Sequence, residues 1–241
     1  MDKRLENEIE HGKYLANEGA GEVWNWESPA GKLRWQRRVK MLTSHLKSSD
    51  VVLEIGCGTG YFTKEIAKTG AQVTAIDISL ELLNIARQEI TELNVSFLLD
   101  NAYELSFKND SFDSIVGSSV LHHLEIDKAI SEMFRVLKPG GSIFFTEPNM
   151  MNPQIALQKN IPALKRRLGD SPDETAFFRW SLNKLLRKNG FIEIVIKPFD
   201  FLHPALSPSL IPFISSLGEA VEKTPILKEI AGSLYIFAKK P

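Results

Sequence analysis

The sequence predicts an α/β protein: a doubly wound, mostly parallel sheet with helices on both faces. Three observations carry this reading. Between Asp50 and Pro148, short apolar runs alternate with helical segments, the pattern of repeated strand–helix–strand units. The first run ends in glycines at alternate positions, "VVLEIGCGTG", which suits a tight turn leaving the carboxyl end of a strand. The 241 residues, 43% hydrophobic and 24% charged, are enough to bury a sizeable core without disulfide or metal staples.

Along the chain, "NEIEHGKYLANEG" reads as a helix stopped by Gly19 and Gly21, "WNWESPAGK" as a loop, and "KLRWQRRVKMLTSHL" as a helix with Leu33, Val39, Leu42 and Leu46 near one stripe. Val51–Ile55 is the first strand. "YFTKEIAKTG" is a helix closed by Gly70. "AQVTAID" and "VSFLLD" are the second and third strands, separated by the helix "LELLNIARQEITEL". "FDSIVGSS" is the fourth strand, followed by the helix "IDKAISEMFRVL", a turn at Lys138-Pro139-Gly140-Gly141, and the fifth strand "SIFFTEP". Beyond Asn149 the alternation loosens. Helix and connector over about 150–173, a helix in "ETAFFRWSLNKLLRKNG", a sixth strand in "FIEIVIKPFDF", Pro-punctuated helices over about 201–232 and a last strand, "SLYIFAKK", complete the chain. The connection into that last strand is not of βαβ type, so it is expected to pair antiparallel with the sixth. The division expected is a helical lid region over 1–49 and a sheet domain over 50–241, with the two later helical segments as further lids.

A net charge of −1 implies no bulk attraction to nucleic acid or to an anionic membrane. The single cysteine, Cys57, excludes an intrachain disulfide and a Cys-based zinc cluster. The charged opening "MDKRLENEIE" lacks the apolar segment of a signal peptide, and no run is long enough for a transmembrane helix. A cytoplasmic protein is expected.

The glycine turn admits three readings: a purely structural turn, a dinucleotide site, or a site for another adenosine-containing molecule. The dinucleotide fingerprint is G-x-G-x-x-G. Here Gly56, Gly58 and Gly60 bring the third glycine one residue early. Acidic residues on three successive strands add information. Glu54, inside the first strand, can hold bridging waters or receive a ligand ammonium. Asp77 ends the second strand, where a carboxylate accepts from adjacent ribose hydroxyls. Asp100 ends the third, where one can accept from an exocyclic adenine amine. Each alone can be a solvated strand end or a helix cap; together they outline a ribonucleoside.

"VLEIGCGTG", "VTAIDIS", "LLDNAYELSFKNDSFDSIVGSSVLHHL" and "RVLKPGGSIFFTEP" resemble the ordered motifs of class I S-adenosylmethionine-dependent methyltransferases of the small-molecule type, over roughly residues 50 to 148. The resemblance implies a seven-stranded sheet of order 3-2-1-4-5-7-6 with the last strand antiparallel. It implies S-adenosylmethionine as cofactor, with S-adenosylhomocysteine as product. Gly56, Gly58 and Gly60 would line the methionyl part and ribose, with Glu54 behind them. Asp77 would take both ribose hydroxyls and Ile78 would cover one adenine face. Asp100 would bind the adenine amino group, with Asn101 beside it and the Ala102 amide meeting a ring nitrogen. Ser118 would lie beside the methionyl group and sulfonium.

Methyl transfer from a sulfonium is an in-line displacement, so much of its catalysis can be positioning. A base helps only where the acceptor must lose a proton. His122 and His123 follow the fourth strand and are the candidates to contact or deprotonate the acceptor, or else they pack the next helix. Glu147, ending the fifth strand, is a second candidate: it either points into the same rim or packs against the Pro148 turn. No recognisable set of metal-ligating residues stands together in the sequence, so no metal is expected. Tyr14, Trp24, Trp26 and Trp35 either lid the site, stack on an aromatic acceptor or pack as core. The apolar stretch from Phe199 to Ile230 suits a greasy acceptor, a buried cap or contact with a membrane surface, although it lacks the usual cationic face. The function expected is methyl transfer to O, N or C of a small, apolar or lipid-like molecule. A nicotinamide-dependent oxidoreductase and a non-catalytic adaptor on the same fold are the alternatives. No base-flipping motif points to nucleic acid, and the sequence leaves the oligomeric state open.

Overall fold

A computed structural model describes residues 3–241; Met1 and Asp2 of the expected lid region lie outside the described residues. Seven strands form one sheet in the order β3-β2-β1-β4-β5-β7-β6. They are β1 (Val51–Ile55), β2 (Gln72–Asp77), β3 (Val95–Leu99), β4 (Phe112–Ser118), β5 (Leu137–Pro148), β6 (Ile192–Phe199) and β7 (Ser233–Lys239). β1 through β5 pair parallel, and β7 runs antiparallel to both β5 and β6. The last strand is therefore an interior strand, and β6 is the edge. The helices are α1 (Lys3–Glu18), α2 (Ala20–Val23), α3 (Pro29–Thr43), α4 (Thr63–Ala67), α5 (Leu80–Glu89), α6 (Ile126–Val136), α7 (Pro153–Asn160), α8 (Pro162–Arg167), α9 (Arg179–Lys188) and α10 (Ile211–Glu222).

The central strands read as near-continuous apolar runs because both faces are covered. Neighbouring residues serve opposite faces. Leu53, Ile115 and Phe145 join the cluster under α6 and α9, while Val52, Val116 and Phe144 join the cluster around Leu42 of α3. α6 buries Ala129, Ile130, Met133 and Val136 on one stripe. Each fully buried Leu, Ile or Met side chain in such a core contributes roughly 1.5–3 kcal/mol.

Several element ends depart from the sequence reading. α3 starts at Pro29 rather than Lys32, because Ser28 Oγ accepts from Gly31 N at 3.0 Å and Pro29 occupies the first helical position. The expected helix start at Glu174 moves to Arg179. Residues 174–178 stay extended because Phe177 N donates to Pro148 O at 3.1 Å and Phe177 O accepts from Met150 N at 3.0 Å. α5 ends at Glu89, where Ile90 turns extended. The Lys138–Gly141 turn is an excursion within β5, with Gly140 at φ +77° and the register shifting between Phe112 and Ser114 on the partner strand.

Two N-terminal helices are fastened to the sheet domain by specific contacts. α1 lies on α5 so closely that a Cβ on Gly12 would come within 2.5 Å of Ser79 Cβ, and Leu15 packs on Leu82. From α3, the buried Arg38 guanidinium reaches across to the end of β6. Its Nη1 lies 2.9 Å from Asp200 Oδ2 and its Nη2 donates to Ser233 Oγ at 2.5 Å. Arg34 Nε donates to the same Asp200 oxygen at 2.9 Å. Burial lowers the Arg38 pKa to about 10, with Asp200 opposing the fall, so the group remains a cation that requires this partner. Asp200→Ala strands that charge, and denaturant unfolding should show a loss of about 3–5 kcal/mol.

Candidate active site

The carboxyl ends of β1, β2, β3 and β4 open into a cavity of about 310 Å³, at the rim where open α/β sheets bind ligands. Gly56, Gly58, Asp77, Ile78, Asp100, Asn101, Ala102, Ser118 and His123 line it, and α1 closes it from above with Leu5, Glu8, His11, Gly12 and Leu15. Trp24, Trp26, Tyr61 and Phe62 form an aromatic side wall. Of the four aromatics singled out near the N-terminus, Trp24 and Trp26 thus face the cavity. Tyr14 is largely exposed and stacks on His11, and Trp35 packs against Phe62.

The glycines divide into two roles. Gly56 and Gly58 have φ values of +67° and +54°, and added Cβ atoms would lie 2.2 Å from Val120 Cγ2 and 2.9 Å from Trp24 Cη2. Both must be bare for the turn to fit. Gly60, expected beside the ligand, is absent from the lining; a Cβ there would lie 2.3 Å from Ile90 Cδ1. Its role is to let the turn pack under the end of α5.

Asp77 fixes the turn. Its Oδ2 accepts from Gly58 N at 2.8 Å and its Oδ1 from Ser79 N at 2.9 Å. Each oxygen keeps a further lone pair for a ligand donor. Burial raises the Asp77 pKa against those two amides. Asp100 Oδ1 accepts from Asn101 N at 2.9 Å, and its Oδ2 from the amide and hydroxyl of Ser106 at 3.1 and 2.9 Å. Ser118 Oγ is 2.8 Å from Thr146 Oγ1. Glu54 sits behind the turn, fully buried, with no protein hydrogen bond to Oε2 among the described residues. Desolvation, with Asp77 nearby, raises its pKa to about 7. These residues fit an adenosine with a charged tail: two bare backbone positions for close approach, one carboxylate for vicinal hydroxyls and a second for an amine.

On the other side of the cavity the structure separates the three candidate catalytic groups. Glu147 is 1% exposed and collects four donors. Its Oε1 accepts from Val120 N and Leu121 N at 3.0 and 2.8 Å, and its Oε2 from His122 N and Nδ1 at 3.3 and 2.7 Å. Glu147 shapes the turn after β4 and does not line the cavity, which corrects its expected place as a second base. His122 is buried too, and burial and the adjacent His123 lower its pKa. It packs between Glu147 and Glu174 and does not line the cavity, which corrects its expected place as an acceptor contact.

His123 alone of the pair lines the cavity. Its Nδ1 is 2.8 Å from Glu8 Oε2 on α1 and 3.7 Å from Glu174 Oε1. Burial alone would lower the His123 pKa, but the Glu174 charge and the Glu8 bond outweigh it and raise the value. Around it lies an ion network the sequence did not display. Ser171 Oγ donates to Glu8 Oε1 at 2.5 Å, and Ser171 N donates to Glu174 Oε1 at 2.8 Å. The Lys159 ammonium contacts Glu174 and lies 3.0 Å from Asp170 Oδ2. Glu8, Gly12 and Leu15 are the buried residues of α1, so an i, i+4, i+7 stripe was the one available signal for Glu8.

The expectation that no ligand cluster exists needs correction: His122, His123 and Glu174 each bring a ligand atom within 4.8 Å of the others. Both Nδ1 atoms are already engaged and Lys159 supplies the positive charge on Glu174. The arrangement is read here as a buried ion network.

Residues 53–145 match the family model described as a methyltransferase domain. The chain is 28% identical over 162 residues to a demethylmenaquinone methyltransferase of Paenarthrobacter aurescens, covering 63% of this chain and 62% of that protein. It is 30% identical over 134 residues to a ubiquinone biosynthesis O-methyltransferase of Coxiella burnetii, covering 52% and 57% respectively. The chain therefore spans less than two thirds of the length of these curated relatives. Among solved structures, an S-adenosylmethionine-dependent methyltransferase of Thermotoga maritima, described as a possible histamine N-methyltransferase, superposes with a TM-score of 0.70 at 18% identity, covering 95% of this chain and 98% of that one. That likeness establishes the fold.

The ion network has a pH signature. Despite burial, which acts to raise them, the Glu8 and Glu174 pKa values lie below the ordinary 4.5, held down chiefly by the histidines. A carboxylate depressed in the folded state contributes stability above its unfolded pKa and loses it as pH falls toward the folded value. Melting temperature should therefore fall as pH drops below about 4.5, and Glu174→Gln should flatten that slope when melting is followed by circular dichroism.

Proposed function

We propose that the chain is a class I S-adenosylmethionine-dependent methyltransferase, a reading supported by the methyltransferase-domain match over residues 53–145 and the methyltransferase relatives, and that it methylates a small, largely apolar acceptor. The single observation that carries this reading is the convergence of Gly56, Gly58, Asp77 and Asp100 on one cavity. When bound, S-adenosylmethionine supplies a sulfonium methyl group, whose C–S electrons return to sulfur as the acceptor's lone pair forms the new bond. The residues of this chain bind and align. Asp77 would take the vicinal hydroxyls, Asp100 and Asn101 would face the base, Ile78 would cover it, and Ser118 would lie by the reacting end. Such alignment supplies up to about 7–11 kcal/mol.

His123 is the acceptor contact. An acceptor hydroxyl bonded to its free nitrogen can pass its proton there, a contribution on the order of 10²- to 10⁴-fold where the acceptor must be deprotonated. The aromatic wall of Trp24, Trp26, Tyr61 and Phe62 supports a flat, apolar acceptor. Relatives named for demethylmenaquinone and ubiquinone biosynthesis accord with a quinone-type ring. The carboxylates on successive strand ends and the glycine spacing speak against a nicotinamide cofactor. We assign the protein to the cytoplasm, which a lone buried Cys57 suits, with small molecules rather than nucleic acid as partners. No helix among the described residues is long and apolar enough to cross a membrane.

Labelled methyl transfer from S-adenosylmethionine into separated aqueous, lipid, RNA and protein fractions of a cell extract tests the reading. Label is expected in a small-molecule or lipid fraction. Asp77→Ala should weaken S-adenosylhomocysteine binding by about tenfold or more, a loss of roughly 1.5–3 kcal/mol for hydrogen bonds to a charged group. Affinity for NAD without affinity for S-adenosylhomocysteine overturns it, and cofactor binding with no fraction labelled favours an adaptor.

A further inference from the structure

The proposed acceptor contact is held in place by a carboxylate from a distant part of the chain. Glu8 lies in the middle of α1, 115 residues from His123. It is buried, and its two oxygens do different work. Oε2 meets His123 Nδ1 at 2.8 Å, and Oε1 accepts from Ser171 Oγ at 2.5 Å. The second bond anchors the carboxylate, so its direction does not depend on the imidazole. An ionised carboxylate only accepts, so Nδ1 carries the proton and the ring is oriented. That leaves Nε2, which has no hydrogen-bond partner among the described residues, on a side chain that is 21% exposed and lines the cavity.

We propose that Glu8 is the positioning residue for His123, and that the acceptor site is complete only while α1 is docked. This rests on the methyltransferase reading given above.

The docking contacts are separate from the chemistry. Arg4 Nε donates to His123 O at 2.7 Å, and Arg4 Nη2 to Asp173 O at 2.8 Å. Asn7 Nδ2 donates to Asp173 Oδ2 at 2.6 Å. Gly12 admits the close approach to Ser79. α1 therefore grips the His122–His123 turn and the 170–175 loop together, and Leu5, His11 and Leu15 roof the same cavity. One movement of the helix opens the cavity and takes Glu8 from the ring.

The charges facing His123 come from every element packed on it: Glu8 and His11 from α1, His122 from its own turn, Glu174 from the 170–175 loop, Lys159 from α7 and, farther off, Asp77 from β2. Glu8 and Glu174 favour the imidazolium, whereas Lys159 opposes it. The charged ring donates from Nε2 to an acceptor oxygen. The neutral ring accepts the acceptor's proton there, so activity should rise with pH through the His123 titration.

The test uses the full chain with S-adenosylhomocysteine bound, and follows the ¹⁵N-labelled imidazole of His123 by NMR across pH. Glu8→Gln keeps the size and removes the charge. The His123 titration midpoint should then move down by about one pH unit or more, and Glu8→Asp should recover part of it. Melting curves report whether each variant is folded. If Glu8→Gln does not fold, Glu8→Asp, which draws the carboxylate back from Nδ1 by one methylene, should move the same midpoint in the same direction by a smaller amount. In turnover with the labelled extract fraction, Glu8→Gln should lower kcat about tenfold or more and shift the acid limb to lower pH, with cofactor affinity within about threefold of the parent.

An unchanged His123 titration and kcat in folded Glu8→Gln overturns the proposal, leaving Glu8 a packing residue. Recovery of a chelator-treated parent by Mg²⁺, Mn²⁺ or Zn²⁺ overturns it also, by giving the cluster to a metal. A parent that fails to bind S-adenosylhomocysteine fails the methyltransferase reading instead, and the His123 titration, repeated without that molecule, still decides the role of Glu8.

Discussion

One carboxylate ties together the turns on which the cavity is built. Asp77 accepts from the backbone of Gly58 and of Ser79, so the loop after β1 and the loop after β2 share an anchor. Ser79 carries the constraint outward. Its Oγ caps α5 through Leu82 N at 3.3 Å, and its Cβ meets bare Gly12 on α1. The ligand cradle, the helix beside it and the helix above it are thus referenced to one side chain. A half-buried acid tolerates this position because it receives backbone donors that cannot turn away.

The opposite rim is organised by the same physics with another residue. Glu147 gathers three successive amides and one imidazole, where a bare strand end would leave orphan N–H groups. The cavity thus has two sides set by carboxylates, the buried Glu147 and the half-buried Asp77. Its roof and part of its acceptor wall come from α1 and the 170–175 loop, outside the sheet. Segments of that kind open at lower free energy than a core strand.

The sheet rim was legible because its logic is local. Glu54, Gly56, Gly58 and Asp77 announce themselves within a few residues of strands whose apolar runs are plain, and β1 through β5 follow from alternation alone. The interior place of β7 is not local: it came from resemblance, since composition shows only a strand. Roles that depend on residues far along the chain were illegible. Glu147 and His122 looked reactive at strand ends, but the first is consumed by donors and the second by burial. Glu8, Lys159 and Glu174 sit in unremarkable polar helix and loop sequence, and only tertiary packing brings them to His123. The early start assigned to α9 failed for a related reason: residues 174–178 are drawn straight by backbone bonds to Pro148 and Met150.

α1 and the segment after β7 differ in what they touch. α1 carries Glu8 over the cavity, whereas Lys240 and Pro241 fold back onto Gly140, with Lys240 Nζ bonded to Phe134 O and Leu137 O at 2.8 and 2.7 Å. Gly140 is at the end of β5 remote from Glu147. An affinity tag, dye or surface linkage joined ahead of α1 pulls on the roof of the cavity. The same attachment joined beyond β7 loads the far side of the sheet. Preparations that differ only in which end is modified should not be treated as interchangeable.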